Sequence, residues 1–152
     1  ALGEAQAAGH IEVTGWVGMS VGASMRGGLL HVHGDAGPRA GIAMKGGDIV
    51  VEGEIGFLSC FMGHAGRLIC LGDAGDATGD SLWGGCVWVA GGIASLGTDS
   101  KIVEPAVEEV DEVEGLLAYL DLANTSRDWK KIVSAERLWH FDKNDAKSWL
   151  LI

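Results

Sequence analysis

Basic residues are scarce in this chain. Eleven lysines and arginines stand against 21 aspartates and glutamates, for a formal net charge of -10. Binding to nucleic acid or to an anionic membrane needs a basic face, so neither is an expected partner. Long apolar runs are missing as well. None approaches the ~18 residues of a membrane span. No charged segment followed by an apolar one opens the sequence, so no signal peptide is expected. The three cysteines, Cys60, Cys70 and Cys86, are odd in number and far apart. That pattern excludes a CxxC metal site, argues against a disulfide framework, and points to free thiols in a cytoplasmic protein. Only two prolines occur, and glycine does not recur at every third residue, so collagen is excluded.

Glycine itself is abundant. The 152 residues hold 25, where average usage would give about 11. Apolar residues make up 47% of the chain, so the excess is not flexible linker. Of the 25 glycines, 24 lie before residue 98. Two regions with different rules share the chain: a Gly-rich domain over 1–98 and a tail over 99–152.

The glycines are periodic. Gly15, Gly34, Gly53, Gly72 and Gly91 are spaced 19 residues apart. Gly18, Gly37, Gly56 and Gly75 form a second column in the same phase. Gly22, Gly41, Cys60 and Gly79 form a third. A pair follows in each unit, Gly27-Gly28, Gly46-Gly47, Ala65-Gly66 and Gly84-Gly85, and then a short alternating apolar run. Four full units run from Trp16 to Gly91. A partial one precedes them, so residue 1 falls within a coil.

Glycine at this density is incompatible with helices, where each costs ~1 kcal/mol. Period-two runs read as short strands, and the glycines as turns that need positive φ or close backbone approach. Repeated with little variation, these features predict an all-β parallel β-solenoid. Each unit is one coil, or one face of a coil. Leu30, Ile49, Leu68 and Val87 should form one buried ladder, and Val32, Val51, Cys70 and Val89 another. Smaller ladders follow at Val17, Ala36, Ile55 and Ala74, and at Met25, Met44, Gly63 and Leu82.

The alternate positions should face outward: His31, Val50, Ile69 and Trp88, then His33, Glu52, Leu71 and Ala90. The later coils are apolar there, and the third coil adds Phe57, Leu58, Phe61 and Met62 at its turn. An exposed apolar stripe marks a contact. Two occupants are open, the chain's own tail folding back and a partner subunit. Phe57, Leu58, Phe61, Ile69, Leu71, Trp88 and Trp139 are the candidate interface residues.

In the tail, Pro105 suits a helix start. Val107, Val110, Val113, Leu117 and Leu120 follow helical spacing, with Glu108, Glu109 and Asp111 near the favourable N-terminal end. Asn124-Thr125-Ser126 should break that helix. Beyond it, Trp129, Ile132, Leu138, Trp139 and Phe141 make an aromatic-rich docking segment, and Trp149 is a further anchor.

Chemical motifs are weak. No GxxxxGK[ST] occurs, and the repeat already explains the Gly-rich stretches. His31 and His33 lie two apart on a strand, beside Glu52 of the next coil. That is a weak metal set against the commoner reading of exposed strand histidines. His64 and His140 have no evident partner. Asp73, Asp76 and Asp80 suggest calcium but do not recur in other units. Ser59 and Ser81 lack a nucleophile-elbow context. No catalytic, cofactor-binding or metal-binding residue, and no cofactor, is therefore expected in this chain.

Units such as GPRAGIAMKGGDIVVEG (37–53) resemble those of the GXGXG domain. That domain closes the large subunit of glutamate synthase. It also stands alone as the β-helix subunit of N-methylglutamate synthase-like complexes, and a related one serves formylmethanofuran dehydrogenase. The likeness spans about residues 9–98, with Cys60 and Gly63 departing from its Gly and Met. LICLGDAGDATGDSLWGGCVWVAGGIASLGTD and the closing SAERLWHF are similar to the stand-alone glutamate synthase-type subunit. The resemblance implies a right-handed parallel β-helix and a non-catalytic assembly role. It also implies two partners: a glutamine amidotransferase-like subunit, and a synthase subunit that holds the FMN and iron–sulfur cofactors. Two alternatives stand beside this. One is the β-helix subunit of a formylmethanofuran dehydrogenase or formyltransferase/hydrolase complex, and the other is a free-standing binding module.

Overall fold

The computed structural model describes residues 1–123 and 125–138. Five strands carry the repeat: β1 (His10–Val13), β2 (Arg26–Val32), β3 (Lys45–Val51), β4 (Ala65–Cys70) and β5 (Cys86–Val89). The tail adds β6 (Ser100–Val103), α1 (Val107–Tyr119) and β7 (Lys130–Ser134). The seven strands form one sheet in the order β1-β2-β3-β4-β5-β7-β6.

β1 to β5 pair in parallel, and their register follows the repeat: Ile11 lies beside Leu30, Leu30 beside Ile49, Ile49 beside Leu68, and Leu68 beside Val87. One 19-residue unit is therefore one complete coil of a parallel β-solenoid. A second, single-residue ladder joins Val17, Ala36, Ile55, Ala74 and Ile93. Its backbone bonds run both ways along the stack. Ala36 N–H donates to Glu54 O, while Gly37 N–H donates back to Val17 O.

All four expected ladders lie inside. Leu30, Ile49, Leu68 and Val87 are fully buried, as are Val32, Val51, Cys70 and Val89. Burying each such aliphatic side chain stabilises the coil by about 1.5–3 kcal/mol relative to leaving it in water. The turn glycines divide into two kinds. Gly22, Gly41 and Gly79 adopt left-handed φ, which L side chains resist. Gly37, Gly56, Gly72 and Gly75 do not, and are needed for space. A Cβ on Gly56 would lie 2.7 Å from Pro38 N. Gly15 and Gly18 share these columns but meet nothing within 4 Å, because no complete coil lies beneath them.

In the third coil a sulfur arrives by a different route. A Cβ on Gly63 would lie 2.7 Å from Cys60 Sγ. Cys60 thus fills from the turn the space that Met25 and Met44 fill from three residues further on. It adopts left-handed φ at 60° to do so.

The tail both caps and covers the coils. β7 lies antiparallel on the free edge of β5, with Ile132 beside Val87, and β6 continues antiparallel outside it. Ile132 enters the solenoid core. α1 starts beyond Pro105, with the Glu109 carboxylate accepting the Ala106 N–H at 3.0 Å. Val113 and Leu117 of α1 and Trp129 pack on Val50, Ile69 and Trp88 as a second apolar cluster. Val107 stays exposed, so the buried stripe of the helix is narrower than its spacing suggests. Arg67 fixes the geometry by a paired contact to Asp48 (2.6 and 3.0 Å) and a reach to Glu112 of α1 at 3.3 Å. No helix of the described residues is long and apolar enough to cross a membrane.

Candidate functional site

The candidate interface residues fall in different places. Ile69 and Trp88 stand on the outer face of the sheet, as the alternation requires, yet they are buried. The chain's own tail covers them, with Trp129 meeting Trp88 edge-on at 5.8 Å between ring centres. Of the two occupants left open by the sequence, the tail takes this stripe. His31, also expected to face solvent, is buried as well. Leu71 is half-buried at a shallow depression with Ala90 and residues 125–128. Leu58 and Phe61 are half-buried at the third turn. Trp139, and with it His140, Phe141 and Trp149, lies outside the described residues.

Among the described residues of the set Phe57 alone is widely exposed, at 51%, and it belongs to a larger feature. Met19, Pro38 and Phe57 occupy one column of successive coils. Trp16 (77% exposed) and Met19 (58%) flank a groove floored by Gly18, Ala36 and Gly37. This corner is an apolar ridge across three coils. The sequence reading found its Phe57 end and missed Trp16 and Met19. The phase that Met19 shares with Phe57 was the signal available; Trp16 lies in the column of Asp35, Glu54 and Asp73, which carries no such sign.

The second feature is polar. Glu12 on β1, His31 on β2, His33 just beyond β2 and Glu52 just beyond β3 meet on the outer face. Their placement follows from the fold. Glu12 and His31 are register partners on adjacent strands, and His33 lies two residues after His31, just past the end of β2. His31 Nε2 lies 2.8 Å from Glu52 Oε1, and His33 Nδ1 lies 2.7 Å from the same oxygen. On the far side His33 Nε2 is 2.7 Å from Glu12 Oε1, and His31 Nδ1 is 3.8 Å from it. The imidazoles lie side by side at 4.3 Å. Hydrogen bonding to Glu12 is the main reason the His33 pKa is raised above 6.5, and the same bond holds the Glu12 carboxyl below its ordinary value. His31 Nδ1 is buried and has no hydrogen-bond partner. One ligand atom each from Glu12, His31 and His33 fall within 4.8 Å of one another, so these three could hold a metal ion. The sequence reading paired the histidines with Glu52 and missed Glu12, although Glu12 precedes His31 by one repeat.

The remaining polar groups serve the fold. Asp73 Oδ1 accepts from Gly92 N–H at 2.7 Å, Asp76 accepts from the Ser95 hydroxyl at 2.9 Å, and Asp80 accepts from Thr98 N–H at 2.8 Å. Each of these aspartates therefore ties down the last coil, and Asp35, in the column of Asp73, makes the corresponding contact to Glu54 N–H at 2.8 Å. The thiols are free and suppressed. Burial pushes Cys60 and Cys70 up to about 12 and raises Cys86 as well. His64 is held below its ordinary value by burial and then by Lys45.

The sequence matches no protein-family model and no curated protein.

Proposed function

We propose that this chain is a structural, non-catalytic subunit or domain of a glutamate synthase-like complex, acting in glutamate or N-methylglutamate formation. In this reading it holds together a glutamine amidotransferase-like subunit and a synthase subunit with FMN and iron–sulfur clusters. The likeness of the 19-residue units to the GXGXG domain supports the choice of complex. The observation that carries an assembly role is the Trp16–Met19–Pro38–Phe57 ridge. The described part of the tail, residues 99–123 and 125–138, buries the Val50–Ile69–Trp88 stripe and does not pack on this corner. Large exposed apolar side chains on a rigid corner are what an interface core needs.

Co-expression with the proteins encoded beside it tests the reading. The expected result is co-elution with a partner that absorbs as a flavin, and loss of that co-elution in Phe57→Ser. Turnover by the isolated chain, or elution apart from any flavoprotein, would overturn it.

A further inference from the structure

We propose that Glu12, His31 and His33 form a binding site for a first-row divalent transition metal, with Glu52 as the carboxylate that orients both imidazoles. Glu52 Oε1 can only accept hydrogen bonds, yet it contacts His31 Nε2 at 2.8 Å and His33 Nδ1 at 2.7 Å. Both contacts place the N–H on the Glu52 side of each ring. For His31 this leaves Nδ1 to offer a lone pair, whereas His33 Nε2 also carries a proton, bonded to Glu12 at 2.7 Å, and offers its lone pair once that proton is lost. Both lie on the side of Glu12. Metal-bound histidines are held in this way, with the second ring nitrogen donating to a carboxylate.

The spacing fits. Three ligands bound tetrahedrally at about 2.0–2.1 Å stand about 3.3–3.4 Å apart. Glu12 Oε1 is 3.8 Å from His31 Nδ1 and 2.7 Å from His33 Nε2, so the two separations bracket that value. A cation closing on Glu12 draws in the first and displaces the His33 Nε2 proton from the second. The buried Nδ1 of His31, without a hydrogen-bond partner, is the independent sign that this cluster is more than a surface ion-pair network. His31 is only 2% exposed, while His33 at 36% and Glu12 at 54% leave the outer side open to water. Two imidazoles and one carboxylate with open positions suit Zn²⁺ or Fe²⁺ far better than Mg²⁺ or Ca²⁺. Glu12 and His31 sit on β1 and β2, and the backbone N–H groups of His33 and Glu52 donate to Val13 O and Val32 O at 2.9 Å, so hydrogen bonds between coils fix the spacing of the four groups.

The test uses the chain without a polyhistidine tag and Zn²⁺ alone, titrated by calorimetry and followed by imidazole ¹⁵N shifts. One Zn²⁺ per chain is expected, moving His31 Nδ1 and His33 Nε2 but neither His10 nor His64. Glu52→Gln should weaken binding ~10–100-fold, as loss of an orienting carboxylate does. His33→Ala should weaken it at least as much. His31 is buried, so its replacement risks the coil. His33→Ala and Glu12→Gln, both at accessible positions, are the deciding variants, with circular dichroism confirming an intact fold. Absence of saturable binding, binding unchanged in those two variants, or shifts confined to other histidines would each overturn the site.

Discussion

The coils and the tail solve the same problem by opposite means. Each coil buries its apolar residues against copies of itself, so one set of positions is satisfied again and again by the same neighbours. The tail has no copies. It must find Val50, Ile69 and Trp88 on one face and the open edge of β5 at the end, and it meets each with a different element. A defect in a coil should therefore spread along the stack, whereas a defect in the tail should act at one place.

Trp129→Ala is the sharpest way to break that contrast. Trp129 is buried against Trp88, and its indole N–H donates to Glu114 of α1 at 2.8 Å. Removing a buried tryptophan costs about 3–5 kcal/mol. Chemical denaturation should register that loss. Limited proteolysis should then cut α1 while the coils stay protected; cutting within the coils first would show that the two regions are not separable.

Within the coils, Gly56→Ala and Gly18→Ala set a stacked position against an unstacked one of the same column. The first places a Cβ 2.7 Å from Pro38 N, and overpacking of that kind costs about 1–3 kcal/mol. The second meets nothing within 4 Å, and a change there should stay within about 0.5 kcal/mol. Equal urea midpoints for the two variants would remove the steric reading of the column.

A smaller effect should appear at the third coil. Gly63→Ala forces a Cβ against Cys60 Sγ, and Cys60→Gly empties that space while releasing a left-handed cysteine. The double variant should be more stable than the sum of the single changes predicts, by about 0.5–3 kcal/mol of coupling. Strict additivity in a double-mutant cycle would show that the two positions do not share one cavity.

The least costly change concerns protons. The folded pKa of His33 is raised, chiefly by its hydrogen bond to Glu12. Its contribution to stability is therefore fully present below the unfolded value near 6.5 and is lost as pH rises through the folded one. An NMR titration should place the His33 midpoint above 6.5, and Glu12→Gln should bring it down. An unmoved midpoint in the variant would assign the shift to another group.

Much of the stack was legible because identical positions vote together. The ladders at Leu30 and Val32 could be assigned from phase alone, and the register confirms them. What phase could not show was conformation at ordinary residues. Ser20, Arg39, Leu58 and Ala77 share one left-handed column, and nothing in their side chains announces it. The tail was half legible. The spacing of Val113 and Leu117 gave a helix, but SKIV in β6 is too short to carry a period, and antiparallel pairing needs a partner edge that sequence alone does not supply. The sequence leaves the occupant of the stripe at Trp88 open for a related reason. Alternation says which side a residue faces, and only the tertiary fold says what waits there. The histidine cluster was visible as His31, His33 and Glu52, and its fourth member, Glu12, lay one repeat upstream in the coil read only as partial.

The reversed direction of β7 has one more consequence. A parallel edge such as that of β5 is a template on which another coil running the same way, from any chain, could be laid without limit. The strand that occupies it runs against the grain, so the template does not propagate past it. Among the described residues only β6 lies beyond it, short and bearing the exposed Lys101, a poor surface for further strands. The stack is thus a polar rod with one end closed to elongation, and that end sets the point from which its coils are counted.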